Sequence, residues 1–172
     1  MSTFTERIIR AAKLDVNLYE EVEADTGAMG QAMGVVALSS LAAGIGNIGH
    51  YGPGVMIMGV IGSLAGWFIW AYITYVIGTK LLAEPQTSAT HGELLRTIGF
   101  SSSPGILRIL GIIPGITVFI NPIISIWMLS AMIIAVRQAL DYRSTLRAVG
   151  VCLIGWIVQI VIYGFLMMFL TR

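Results

Sequence analysis

Charge is what this chain has least of. From Thr26 to Thr79, 54 residues pass without one Asp, Glu, Lys or Arg, and charged residues make up only 11% of the whole, against roughly a quarter in ordinary globular domains. That excludes a water-soluble fold, whose helices or strands must set polar side chains on their outer faces. Ten Lys+Arg stand against nine Asp+Glu, so there is no basic surface and nucleic acid is not an expected partner. Cys152 is the single cysteine, which excludes an internal disulfide. His50 and His91 are the only histidines. With Glu84, Glu93 and Asp141 they show no metal-ligand spacing, and no cofactor is expected. No Ser/His/Asp or Cys/His set stands out either, so the expectation is no enzyme. The first 27 residues lack the apolar core of a secretory signal, and the first apolar run is expected to act as its own insertion signal.

What is present is apolar: 56% hydrophobic residues and a mean hydropathy of +0.85. With 172 residues there is room for one bundle and no sizeable second domain.

Residues 1–27 form the first unit. Thr3 and Glu6 have capping-box spacing. At 100° per residue, Phe4, Ile8, Ala12, Val16, Leu18 and Tyr19 share an arc, with Glu6, Arg7, Arg10, Lys13 and Asn17 opposite and Asp15 out of place. The spacing predicts an amphipathic interfacial helix, its basic side towards lipid headgroups, with Phe4, Arg7, Ile8, Arg10, Lys13 and Tyr19 as membrane or partner contacts. An acidic stretch, Glu20, Glu21, Glu23 and Asp25, follows.

Residues 28–172 are expected to hold five membrane spans, near 28–48, 55–82, 104–120, 122–140 and 148–170, each about as long as a hydrocarbon core requires. Gly52-Pro53 marks a turn. Ser103-Pro104 and Asn121-Pro122 each set an N-cap residue before a proline at N1. Pro114-Gly115 is expected to kink the third span. Between spans two and three, Thr90 and Glu93 repeat the capping-box spacing, and Gly99 suits the C′ position. Charge decides between two spans and one over 104–140. With five spans Arg7, Arg10, Lys13, Lys80, Arg96, Arg108, Arg137, Arg143 and Arg147 fall on one face and Arg172 alone on the other. The positive-inside rule then sets the N-terminus in the cytoplasm and the C-terminus outside. The expected fold is an all-α membrane protein, a five-transmembrane-helix bundle with an N-terminal interfacial amphipathic helix, in the bacterial cytoplasmic membrane.

Gly44 to Gly49 spells GxGxxG, but without a strand before it, a helix after it or an acidic residue ~20 positions on. It is taken as a helix end rather than a nucleotide site. Three GxxxG spacings, Gly30/Gly34, Gly62/Gly66 and Gly111/Gly115, mark helix-packing positions. Internal packing is the first expectation for them and a surface for another subunit the second. Trp67 and Trp70 fall mid-span and are expected to pack on neighbours. Arg108 lies one turn inside a span start and can snorkel. Asn47 and Gln159 are expected to form interhelical hydrogen bonds, and no chain of ionisable groups suggests a transport route.

The order of features resembles the Yip (Ypt/Rab-interacting protein) domain family, short prokaryotic type, over nearly the whole chain. The resemblance rests on Leu18-Tyr19-Glu20-Glu21-Val22-Glu23 before a charge-free span and on Leu94-Leu95-Arg96-Thr97-Ile98-Gly99-Phe100 leading to Ser103-Pro104. Arg143-Ser144-Thr145-Leu146-Arg147-Ala148 before the last span completes it. Gly99, Phe100, Pro104, Ser144 and Arg147 are its family-motif positions. It implies five membrane helices with a cytoplasmic N-terminus. Eukaryotic relatives bind Rab-type GTPases through a longer N-terminal region than the polar segment here, so only a non-enzymatic membrane scaffold is implied. Its expected partners are the lipid bilayer and another membrane protein or a cytoplasmic protein, with homo-oligomerisation open. An accessory subunit of an energy-transducing complex and a transporter or channel subunit are the alternatives.

Overall fold

The computed structural model describes residues 2–47 and 53–170. The Gly52-Pro53 turn, His50, Arg172 and the end of the glycine motif at 48–49 lie partly or wholly outside these residues.

The N-terminal unit is two helices. α1 (Phe4–Ala12) begins with the predicted capping box, Glu6 N–H donating to Thr3 Oγ1 at 3.3 Å and Thr3 N–H to Glu6 Oε2 at 2.7 Å. It stops where Leu14 takes a left-handed φ of 62°. Asp15 then caps α2 (Val16–Ala24), its Oδ1 accepting from Asn17 N–H at 3.0 Å. This corrects the single helix expected over residues 1–19. The acidic residue that broke the arc starts a new helix.

α3 (Met29–Gly46) follows a 3₁₀ turn at Thr26–Ala28, and α4 (Pro53–Val76) continues into a π-helical turn at Ile77–Leu81. α5 (His91–Ser101) leads into a 3₁₀ helix, Ser103–Ile112. α6 (Thr117–Ala139) and α7 (Thr145–Leu170) complete the chain. Among the described residues, four stretches are long and apolar enough to cross a membrane: Thr26–Gly46, Met56–Leu81, Thr117–Ala139 and Thr145–Ile162.

The expected spans 104–120 and 122–140 are redrawn accordingly. The 3₁₀ helix starts at Ser103-Pro104 as predicted but ends at Ile112. Pro114-Gly115 is a turn, with Gly115 at φ +82°, rather than a kink. α6 begins at Thr117, before Asn121, and Pro122 lies inside it, past the first turn, where its missing N–H removes one intrahelical hydrogen bond. Gly99 does not end α5. It sits inside the helix, where a Cβ would lie 2.7 Å from the Ala32 Cβ.

α5 and the 3₁₀ helix run beside α3 in the same direction. Gly99 meets Ala32, Gly105 meets Ser39, and Gly111 meets Gly46. α6 returns antiparallel to them, with Thr117 Oγ1 donating to the Gly111 carbonyl at 3.0 Å and Met128 against Gly105. α4 is antiparallel to α3 through Met56 on Gly44 and the Ser63–Ser40 hydroxyl bond of 3.0 Å. α7 is antiparallel to α4 through Gly150 on Leu82 and Gly155 on Trp70. The connections therefore gather at two ends. One holds α1, α2 and the loops 82–90 and 140–144; the other holds the end of α3, the start of α4 and residues 112–117.

α5 is the centre of the first end. Its residues Leu94 to Ser101 are buried without interruption, as a helix enclosed on every side must be. Trp67 packs there as expected, its indole N–H donating to the Leu95 carbonyl at 3.0 Å.

Candidate functional site

All nine carboxylate residues belong to the first end, carried by α1, α2, the 82–90 loop, the start of α5 and Asp141. So do the described basic residues other than Arg108. They are paired into a polar cap. Arg7 is 4% exposed, and its guanidinium lies 3.0 Å from Glu21 and 2.8 Å from Asp25 while donating to Gln31 Oε1 at 2.9 Å. Arg10 reaches Asp15 at 2.7 Å and Glu21 at 2.5 Å. Hydrogen bonds from Ser2, Arg10 and Arg7 hold the Glu21 carboxyl down at about 2.

The expectation that this basic side faces lipid headgroups is corrected. Arg7 and Arg10 turn inward to the acidic stretch that follows them, because a carboxylate offers a closer charge than a headgroup does. Of the other residues expected as contacts, Lys13 is exposed, Ile8 is partly buried, and the Phe4 ring lies against Gly34. Tyr19 is fully buried and so is no surface contact. Trp127 of α6 ties α1 down, its indole N–H donating to the Ala12 carbonyl at 2.7 Å.

Arg96 ties down α2. It is 6% exposed, and its guanidinium donates to the Val22 carbonyl at 2.9 Å and to that of Glu23. These are carbonyls of the last turn of α2, a turn with no basic residue of its own. A cation from α5 thus satisfies the C-terminal end of a helix distant in sequence. Burial pushes the neighbouring Glu23 carboxyl up to about 7; Asp141, Glu93 and Glu20 raise it further and Arg96 opposes them.

The family-motif positions divide between core and cap. Gly99, Phe100 and Pro104 are buried along the α5 axis. Ser144 and Arg147 open α7, where Arg147 pairs with Glu84 at 3.3 Å and donates to the Ala83 carbonyl at 3.0 Å. Tyr142 O–H donates to the Gly78 carbonyl at 2.8 Å, closing the cap over the α4–α7 seam.

The second feature is an open-sided cavity of about 490 Å³ lined by residues of α3, α4, α5, the 3₁₀ helix, α6 and α7. Ser39, Ser40, Ser63, Ser101, Ser102 and Ser125 line it together with Arg108 and Gln159, against apolar walls that include Trp67, Met128 and Trp156. Arg108 lies midway along the 3₁₀ helix, beyond α5 from the first end, with its Nη2 donating to Ser125 Oγ at 3.1 Å. That corrects its expected place beside the second loop. Serines inside apolar runs were the signal for this cavity in the sequence.

The packing glycines also depart from expectation. Among the described residues nothing lies within 4 Å of a Cβ built on Gly30, Gly62, Gly66 or Gly115, and Gly34 meets only Phe4 at 3.5 Å. Of the six, Gly111 makes the close approach: a Cβ added there would lie 2.9 Å from the Gly46 carbonyl oxygen. Asn47 bonds within its own helix, its Nδ2 donating to the Ala43 carbonyl at 2.8 Å, and so is no interhelical link.

The family model of the Yip1 domain matches residues 24–167. No curated protein and no solved structure matches the chain significantly. The match spans most of the sequence, and this chain belongs to the Yip1-domain family.

Proposed function

We propose that this Yip1-domain membrane protein is a non-enzymatic scaffold, and that its polar cap is the surface by which it engages a protein partner. The observation that carries this reading is the rigid attachment of the cap. Arg7 through Gln31, Arg96 and Trp127 hold α1 and α2 to the bundle, and a surface held in one shape binds with less ordering cost than a loose one. Glu20, Asp141, Arg143 and Arg147 remain exposed on it.

Five crossings remain the topology we favour, with the third made by α5 and the 3₁₀ helix. Their 11 and 10 residues amount to ~36 Å at ~1.5 and ~2.0 Å per residue, and they keep register with α3 from Ala32 to Gly46. The cap then lies on the cytoplasmic face, where the basic residues it gathers satisfy the positive-inside rule.

A second reading, the accessory subunit, is favoured by Gly30 and Gly62, which face away from the described residues and leave a close-approach surface for another helix. Photo-crosslinkers placed in the native membrane separate the two. Crosslinks to one protein partner from Asp141 and Arg143, and none from Gly30 or Gly62, support the cap. The reverse pattern supports the subunit and overturns the scaffold.

A further inference from the structure

The cavity around Arg108 is a donor-rich site with no acid to match it. Ser125 is the one hydrogen-bond partner of Arg108 among the described residues, and no carboxylate pairs with it. Every carboxylate of the chain belongs to the cap, which is separated from Arg108 by the length of α5 and half of the 3₁₀ helix. A guanidinium held among membrane helices is costly and marks a functional position unless it is paired. It also presents a planar fork that matches a phosphate.

A second donor agrees. Trp70, 7% exposed, also lines the cavity, and its buried indole Nε1 has no partner among the described residues. Indole N–H donates only, and a buried donor left unmade costs free energy. What the cavity lacks is therefore an acceptor, preferably charged.

The shape narrows the ligand further. Ser125 and Trp156 on its rim are exposed, so the cavity opens sideways between α6 and α7, among exposed apolar side chains such as Ile157 and Ile126. Its polar head is at Arg108 and Ser125, and Met128 and Met132 continue from there along α6 as an apolar wall. The volume is within the ~300–1,000 Å³ usual for small-ligand sites. We propose that this cavity binds the phosphate headgroup of an anionic phospholipid, with Arg108 as the phosphate ligand and an acyl chain along Met128 and Met132. The lipid enters from the leaflet at the second end of the bundle.

The test uses the full-length protein in an uncharged detergent, with phosphatidylglycerol, phosphatidylcholine and inorganic phosphate as probes, read by native mass spectrometry and thermal unfolding. Phosphatidylglycerol is expected to bind one per chain and raise the melting temperature, with little effect from the other two. Arg108→Gln should weaken that binding ~10-fold or more, as loss of a charge-assisted contact does, while Arg143→Gln on the cap leaves it unchanged. Removing an unpaired cation from the interior does not endanger folding, and Ser63→Phe, which fills the cavity and keeps Arg108, should abolish binding independently. Equal stabilisation by inorganic phosphate would assign the site to a free anion, and undiminished lipid binding by both variants would overturn it.

Discussion

Replacing Arg96 with Met should free α2 from the bundle while leaving the membrane helices in place. The side chain is 6% exposed and donates to two carbonyls in the last turn of α2. Each hydrogen bond from a charged donor contributes ~1.5–3 kcal/mol. Met fills similar space and avoids the cost of burying a guanidinium, which offsets part of the loss. A net ~3 kcal/mol remains, or ~100-fold in the local opening equilibrium of α2. Hydrogen exchange of the detergent-solubilised protein measures it directly. Amides between Leu18 and Ala24 should exchange ~100-fold faster than in the parent, with α4 and α7 unchanged. The exposed Arg143→Met serves as control and should alter nothing. Unchanged protection of α2 would refute the assignment of Arg96 as its anchor; equal acceleration in α4 and α7 would show that the tie is not local.

Glu23 should make the cap pH-sensitive. Its carboxyl is raised from 4.5 to about 7 in the folded protein, so its contribution is complete below pH 4.5 and is lost as pH rises through about 7. Exchange in α2 should therefore quicken across that window, and Glu23→Gln should remove the dependence. Glu21 acts in the opposite sense: lowered to about 2, its contribution is present above pH 4.5 and lost as pH falls towards 2, and Glu21→Gln should loosen α1 at neutral pH. A glycine pair tests the packing: Gly46→Ala meets the Arg108 carbonyl and should lower stability by ~1–3 kcal/mol. Gly62→Ala meets nothing within 4 Å, and its melting temperature should not move.

Local signals were legible in the sequence and long-range ones were not. Both capping boxes, Thr3/Glu6 and Thr90/Glu93, formed as spaced, because the partners lie three residues apart and need nothing else. The apolar runs gave the membrane helices because their hydropathy is decided residue by residue. Asp15 carried an N-cap signal that arc-fitting treated as an exception, so the break between α1 and α2 went unseen. The 3₁₀ geometry after Pro104 was equally hidden, since a ten-residue stretch of it is rare. The spacing sets Arg7 towards headgroups and Arg96 between spans two and three; only the fold brings Glu21, Asp25 and the carbonyls of α2 to them. GxxxG spacing pointed at Gly62 and Gly66, which meet nothing within 4 Å, and at Gly111, which does approach Gly46, while the approaches at Gly46, Gly99 and Gly105 are set by facing helices that spacing within one helix does not reveal.

Side-specific thiol labelling decides whether the cap and the second end lie on opposite faces of a membrane, the premise of both the scaffold reading and the lipid site. In a Cys152→Ala background, Ser88→Cys sits in the loop before α5 and Ile113→Cys in the turn before α6. With an impermeant maleimide on sealed vesicles, Ser88→Cys should label only from the cytoplasmic side and Ile113→Cys only from the other. Labelling of both from the same side would contradict a crossing by α5 and the 3₁₀ helix.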